Sequence, residues 1–259
     1  MALIIAFANH KGGVAKTASV AALGTIFARE GFRVLMVDLD TQANLTYSFI
    51  DMATNAPSRF LYDAIRERKD LPQVAVRDNL YIVPSGLYMT IVEREMQNMR
   101  RKELVLHDLI MPIEGNYDLI LLDCPPALNN ITDNALIIAD RLSVPVLADQ
   151  LSYNGLKMIE TYLPQLADLN PDICINDIFF TMYGGRTNLD GTLYKVIHDE
   201  FPEQTMKTKI HATVRVKESV SALMSIVEYA PRCTAAKDYE DLAKELADRL
   251  NKMDGKKSK

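Results

Sequence analysis

Cysteine is scarce in this 259-residue chain: Cys124, Cys174 and Cys233 are odd in number and widely separated. That spacing writes neither a disulfide framework nor a Cys-x-x-Cys metal site, so three buried free thiols are expected. Long apolar runs are absent too. No stretch approaches the roughly 18 to 20 residues of a spanning helix. The start, Met1-Ala2-Leu3-Ile4-Ile5-Ala6-Phe7, lacks the basic flank and cleavage segment of a leader. A cytoplasmic protein with no membrane partner is predicted. Pro/Gly/Ser-rich linkers are also missing, which argues for one domain over residues 1–259. Nor is there an excess of positive charge. With a net charge of −5, any grip on nucleic-acid phosphates must come from a local Lys/Arg patch. The cluster Lys256-Lys257-Ser258-Lys259 is read as part of a disordered basic tail over 254–259.

What is present is ordinary for a folded soluble domain: 48% hydrophobic and 24% charged residues exclude neither a core nor a solvated surface. Short apolar runs alternate with longer helical patterns. Strands are expected at Leu3–Ala8, Val34–Val37, Leu80–Val83, Leu119–Leu122, Leu142–Leu147, Ile178–Thr181 and Thr205–Ile210. Several are continuously apolar, as strands buried on both faces must be. Between the first two lies Ala18–Glu30, with Val20, Leu23 and Phe27 on one face and Gly31 as a stop signal. Asp238–Met253 carries Tyr239, Leu242, Ala243, Leu246 and Leu250 at helical spacing. The repeated β-α-β order predicts an α/β fold of three layers, a mostly parallel twisted sheet with helices on both faces. Ligands then collect at the carboxyl ends of its strands.

After the first strand comes Asn9-His10-Lys11-Gly12-Gly13-Val14-Ala15-Lys16-Thr17, followed by a helix. A strand, a glycine-bearing loop and a helix N-terminus direct free N–H groups and a positive dipole end at one point, which suits a polyphosphate. Lys16 adds a point charge there, and Thr17 offers a hydroxyl to Mg²⁺. The standard G-x-x-x-x-G-K-[ST] pattern fails at both glycines, where His10 and Ala15 stand. K-G-G-x-x-K-[ST] fits instead, with Lys11 as an additional cation. Asp38-Leu39-Asp40-Thr41-Gln42-Ala43-Asn44 ends the second strand, and Asp123-Cys124-Pro125-Pro126 ends another. Those carboxylates converge on the loop's crevice, where they can hold Mg²⁺ or orient a water.

Together these blocks resemble the ParA family of partition ATPases, within the deviant Walker A group of P-loop NTPases that also contains MinD. The resemblance runs over nearly the whole chain. It takes in Lys11–Thr17, Asp38–Asn44, Tyr117–Pro126, Thr181–Leu189 and Val214–Ser219. It implies a slow, partner-stimulated ATPase that forms an ATP-sandwich homodimer. Lys11 reaches the partner's nucleotide, while Lys16 holds the phosphates of its own. Asp40 positions the attacking water; Thr17, Asp38 and Asp123 serve Mg²⁺. The nucleotide contacts span Lys11, Gly12, Gly13, Val14, Ala15, Lys16, Thr17 and Ala18. The adenine is expected around Met182 and 210–213. Arg186, Arg215 and Lys217 fall where relatives carry basic DNA-contacting residues. On this resemblance the ATP dimer binds double-stranded DNA without sequence preference, a ParB-like protein stimulates hydrolysis, and the protein works on the nucleoid in plasmid or chromosome partition. The chain starts at its first strand, which leaves no N-terminal helix-turn-helix domain.

Three departures from the family pattern stand out. Ala15 replaces a glycine, and since alanine resists positive φ, a negative φ is predicted there. Thr41 replaces the proline after Asp40, and Ala18 replaces a second hydroxyl. Three other readings fit the loop: an iron–sulfur carrier of the nitrogenase-reductase kind needs paired cysteines, which the chain does not carry. A MinD-like membrane positioner needs a basic amphipathic C-terminal helix, which Asp238, Glu240, Asp241, Glu245 and Asp248 oppose. A nucleotide-binding scaffold with little hydrolysis is compatible with Thr41 beside Asp40.

Overall fold

The computed structural model describes residues 1–184 and 188–257, with backbone alone for 188–190 and 252–257. Eight strands form one sheet: β1 Leu3–Phe7, β2 Val34–Asp38, β3 Val74–Arg77, β4 Leu80–Val83, β5 Leu119–Asp123, β6 Arg141–Val146, β7 Ile175–Tyr183 and β8 Thr205–His211. Their order is β3-β4-β2-β5-β1-β6-β7-β8. Every pairing is parallel except β3 with β4. The interior strands follow from their composition: β2 and β5 are buried at every residue, so both faces need a covering layer. β3 is a finding the sequence did not announce. Its four residues are half-buried or exposed, and at the margin of a sheet they show no apolar run.

The helices are α1 Lys16–Arg29, α2 Asn44–Tyr47, α3 Leu61–Glu67, α4 Met89–Met96, α5 Val105–Glu114, α6 Asn130–Ile138, α7 Gln150–Tyr162, α8 Asn188–Glu200, α9 Arg215–Ser221, α10 Ile226–Tyr229 and α11 Thr234–Lys257. They cover the two faces of the sheet around two apolar cores. One core packs α3 to α7 against the sheet; the other gathers α1, α2, α10 and α11. Among the described residues no helix is long and apolar enough to cross a membrane. The three cysteines are free as expected, but only Cys124 is buried: Cys174 is exposed and Cys233 half-buried, which corrects the expectation of burial.

Strand order places the site. From β1 the chain moves by α1 to β2 on one side of the sheet, whereas β5 leads by α6 to β6 on the other. The crevice outside the carboxyl end of β1 is therefore the topological switch point, where α/β folds bind ligands.

The last helix is fastened to the last strand of the sheet by side chains. Glu245 accepts the N–H groups of Lys207 (2.8 Å) and Thr208 (2.9 Å), and Asp238 accepts the N–H of His211 (2.8 Å). Arg249 donates to the carbonyls of Glu203 (3.0 Å), Gln204 (3.2 Å) and Thr205 (3.1 Å). The adjoining stripe, Tyr239, Leu242, Ala243 and Leu246, is buried as its spacing predicted, and Leu250 is partly buried against the same core. α11 continues through Lys257, so residues 254–257 extend the helix rather than forming the free tail expected of them. Residues 258–259 lie outside the described residues.

Candidate functional site

The loop between β1 and α1 is a built turn. Asn9 is buried; its Nδ2 donates to Pro145 O at 2.7 Å and its Oδ1 accepts Lys11 N at 2.9 Å. α7 comes so near that a Cβ on Gly155 would stand 2.8 Å from that same Asn9 oxygen, so only glycine fits there. Gly13 has φ +73°, a conformation that glycine takes without strain. Val14 O accepts the buried Thr181 hydroxyl at 3.0 Å, tying the loop to β7.

Ala15 overturns the expectation of negative φ: it is left-handed, with φ 60° and ψ 28°. The loop must reverse direction and start α1 at Lys16 within two residues of Gly13. Ala15 O is already committed to Ser19 N (3.0 Å) and Ser19 Oγ (2.8 Å). Those bonds hold a conformation that costs an L-residue about 1–2 kcal/mol. Ala15→Gly is expected to relieve the strain and raise the melting temperature of the nucleotide-free protein by about 2–4 °C per kcal/mol gained. A melting temperature unchanged or lower in a calorimetric scan would contradict the strain.

Lys16 is buried at the first turn of α1 and donates to the carbonyls of Asn9 and Lys11, both at 3.3 Å. Burial pulls its ammonium below the usual lysine value, and Asp123 opposes that fall. Asp38 and Asp123 are register partners at the carboxyl ends of β2 and β5, both fully buried. Burial pushes the Asp38 carboxyl up to about 7, against donors from Thr46. Burial and then the neighbouring Asp38 push Asp123 well above the usual carboxylate range.

The two acids differ in how they are satisfied. Asp38 accepts Thr46 N (2.8 Å), Thr46 Oγ1 (2.7 Å) and Asp40 N (3.2 Å). Neither oxygen of Asp123 meets full hydrogen-bond geometry with a donor, although the Thr17 hydroxyl is near enough to lower its carboxyl against burial. A buried, under-satisfied carboxylate next to a hydroxyl that lines the cleft fits a hydrated divalent cation, with Asp38 behind it as support. Among the described residues no three His, Cys, Asp or Glu gather as an all-protein metal cage. The donor set thus suits a small hard cation whose remaining ligands come from water and phosphate.

A cleft of about 380 Å³ opens over this point. Gly12, Gly13, Val14, Ala15, Lys16, Thr17 and Ala18 line its floor, with Asp40 and Met182 beside them. Met182 is 50% exposed and left-handed, with φ 49°, so its side chain is presented to the opening rather than to the core. Residues 210–213, expected near a base, do not line the cleft. Val216, Val220, Met224 and Ile226 form the far wall instead. Sequence reading missed these, although apolar residues within α9 and just after it were a usable signal. Asn44 and Ser48 also reach the cleft and were missed.

The proposed DNA residues separate. Arg215 is exposed on α9. Lys217 is exposed too, but it belongs to the cleft wall. Arg186 lies outside the described residues. Lys11, unlike Lys16, is not part of the lining of its own cleft. Its ammonium pairs with Asp149, the N-cap of α7, whose other oxygen accepts Ser152 N at 2.8 Å. Burial raises the Asp149 carboxyl, but the Lys11 ammonium and the Ser152 N–H outweigh it and hold the group below its ordinary value.

Comparison with known proteins agrees with the site. A family model described as an AAA domain matches residues 2–175. The sporulation initiation inhibitor protein Soj of Bacillus subtilis is 34% identical over 95% of this chain and 99% of its own. The chromosome partitioning protein ParA of Caulobacter vibrioides is 31% identical over 95% of this chain and 94% of its own. The fold is shared with cobyrinic acid a,c-diamide synthase from Mycobacterium smegmatis, solved with bound ADP and magnesium. There the TM-score is 0.83 at 24% identity, covering 97% of this chain and 96% of that one. With the phosphate-type loop, the paired strand-end aspartates and likeness over almost the full length, the chain belongs to the ParA family of ATPases.

Proposed function

We propose that this protein is an ATP- and Mg²⁺-dependent dimerisation switch that binds DNA without sequence preference in its ATP-bound, paired state. The observation that carries this reading is the division of labour between the two loop lysines. Lys16 faces the cleft of its own subunit, while Lys11 points away from it onto Asp149. A cation that does not serve its own phosphate site is free to serve a neighbour's, once the neighbour's triphosphate outcompetes Asp149. ATP then becomes a contact made only in the dimer, and a ligand shifts an equilibrium by such differential contacts alone.

Mg²⁺ would be held by Thr17 and Asp123 with Asp38 in support, and when bound it neutralises phosphate charge and polarises the phosphoryl group. Asp40 orients the attacking water. The backbone N–H groups around Gly12–Ala18 grip the phosphates, and Met182 with the α9 wall takes the base. Arg186, Arg215 and Lys217 are the proposed DNA contacts. A ParB-like protein stimulates hydrolysis and so resets the switch, as partition and positioning of cargo on the nucleoid require. The burial of α11's apolar stripe leaves it no face for a bilayer, which disfavours a MinD-like membrane role.

Sedimentation velocity and DNA cosedimentation, with ATP, ADP or no nucleotide, test the proposal. Pairing and DNA retention are expected with Mg·ATP only, and retention should fall steeply with salt. Lys11→Ala should remain a monomer in all three conditions. A Lys11→Ala protein that still pairs on adding ATP would sink the reading.

A further inference from the structure

Asp40 stands on a loop that the family proline would have stiffened, yet here Thr41 follows it. We propose that Thr46 and Ser85 are positioning residues that fix Asp40 for water attack, an inference that rests on the role given to Asp40 above. Four groups close a ring of hydrogen bonds. Asp40 N donates to Asp38 Oδ1 at 3.2 Å, and the Thr46 hydroxyl donates to Asp38 Oδ2 at 2.7 Å. Ser85 N donates to that same Thr46 hydroxyl at 2.9 Å, and Ser85 Oγ donates to Asp40 O at 2.7 Å. The ring joins the end of β2, the short α2 and the segment just after β4. Asp40 is thus held from both sides, at its N–H and at its carbonyl.

Both hydroxyl residues are fully buried, so water does not replace a lost bond. Thr46 acts as donor and acceptor at once, which a hydroxyl can do and a valine of the same shape cannot. Neither residue lines the nucleotide cleft. Their removal therefore changes where Asp40 stands, not what the nucleotide touches. Freezing a loop residue costs backbone entropy, and this ring supplies the restraint before substrate arrives. Within the loop, Asp40 Oδ1 also accepts Gln42 N at 2.9 Å, so the carboxylate has a defined resting place from which to meet a water.

Single-turnover ATP hydrolysis by the full chain, together with Mg·ATP affinity from a fluorescent analogue, tests the inference. Ser85→Ala and Thr46→Val are each expected to slow hydrolysis about tenfold, as a misplaced catalytic contact does. Affinity should stay within about threefold, Thr46→Ser should restore most of the rate, and the double variant should be little slower than the worse single one. Thr46→Val also strips a donor from Asp38, so Ser85→Ala isolates the link to Asp40 and carries the test if Thr46→Val does not fold. Asp40→Ala separates the two levels of the argument. If it stops hydrolysis while Ser85→Ala keeps the full rate, the positioning role is wrong and the function stands. If Asp40→Ala itself hydrolyses normally, the assigned role of Asp40 falls and this inference falls with it. A loss of affinity equal to the loss of rate would mark Ser85 and Thr46 as merely structural and overturn the proposal.

Discussion

Lys16→Ala is expected to slow ATP hydrolysis by about 100- to 1,000-fold, the usual cost of removing one preorganised charge donor from a phosphoryl or acyl transfer site. The size follows from its surroundings. The ammonium is buried, it donates to two carbonyls at 3.3 Å, and burial has already weakened its hold on the proton against the pull of Asp123. A triphosphate offers a directly bonded anionic partner, in a site where water screens little. Nucleotide affinity should fall with the rate, because ground state and transition state both carry the charge. Binding of a fluorescent ATP analogue and single-turnover hydrolysis measure the two effects. A rate within a few-fold of wild type would show that the backbone N–H groups suffice without the lysine.

Asp123→Asn is expected to move stability and function in opposite directions. The carboxylate is fully buried and the nearby Thr17 hydroxyl gives it no bond of full geometry, an arrangement that costs roughly 1–3 kcal/mol in an unliganded protein. Asparagine keeps the shape and removes the ionisable group. The nucleotide-free variant should therefore melt a few degrees higher at pH 8, by about 2–4 °C per kcal/mol. The gain in melting temperature on adding Mg·ATP, about 2.7 kcal/mol at a ligand concentration 100 times Kd, should largely vanish.

The same acids give the apo protein a pH signature. Asp38 is pushed up to about 7 from 3.8, and Asp123 is raised as well. Between about pH 4 and pH 7 the native state thus holds more protons than the unfolded chain. Their stabilising contribution is complete below that window and is lost as pH rises through it. Thermal scans from pH 5 to 8 should show the apo melting temperature falling, with a shallower slope in Asp123→Asn. A flat wild-type profile would contradict the shifts.

Much of this architecture was legible because the decisive elements are local. Continuous apolar runs such as Leu119–Leu122 have to be buried strands, and a glycine loop between a strand and a helix has few other uses. The loop, Asp40 and Met182 line one cleft, whereas Asp38 and Asp123 are fully buried side by side at adjoining strand ends and are not part of its lining. What escaped depended on distance or on balance between small terms. β3 is too short for its alternation to register. Ala15 was expected to avoid a penalty of about 1–2 kcal/mol, but bonds from Thr181 and Ser19 to the loop outweigh it. Asp149, Thr46 and Ser85 carry no motif of their own; they matter because folding brings residues separated by 138 or 39 positions within hydrogen-bond reach. The far wall of the cleft was placed several residues too early, since the turn after β8 cannot be measured from sequence.

The fastening of α11 to β8 has a bearing on assembly. β8 is the terminal strand of the sheet, and a bare terminal strand offers unpaired backbone groups to any passing chain. Glu245, Asp238 and Arg249 occupy several of those groups from the helix side. That margin is thereby closed to strand-by-strand polymerisation. On the proposed function, association between copies is then left to the nucleotide-bearing end of the molecule, where each round of hydrolysis would erase the contact that made it.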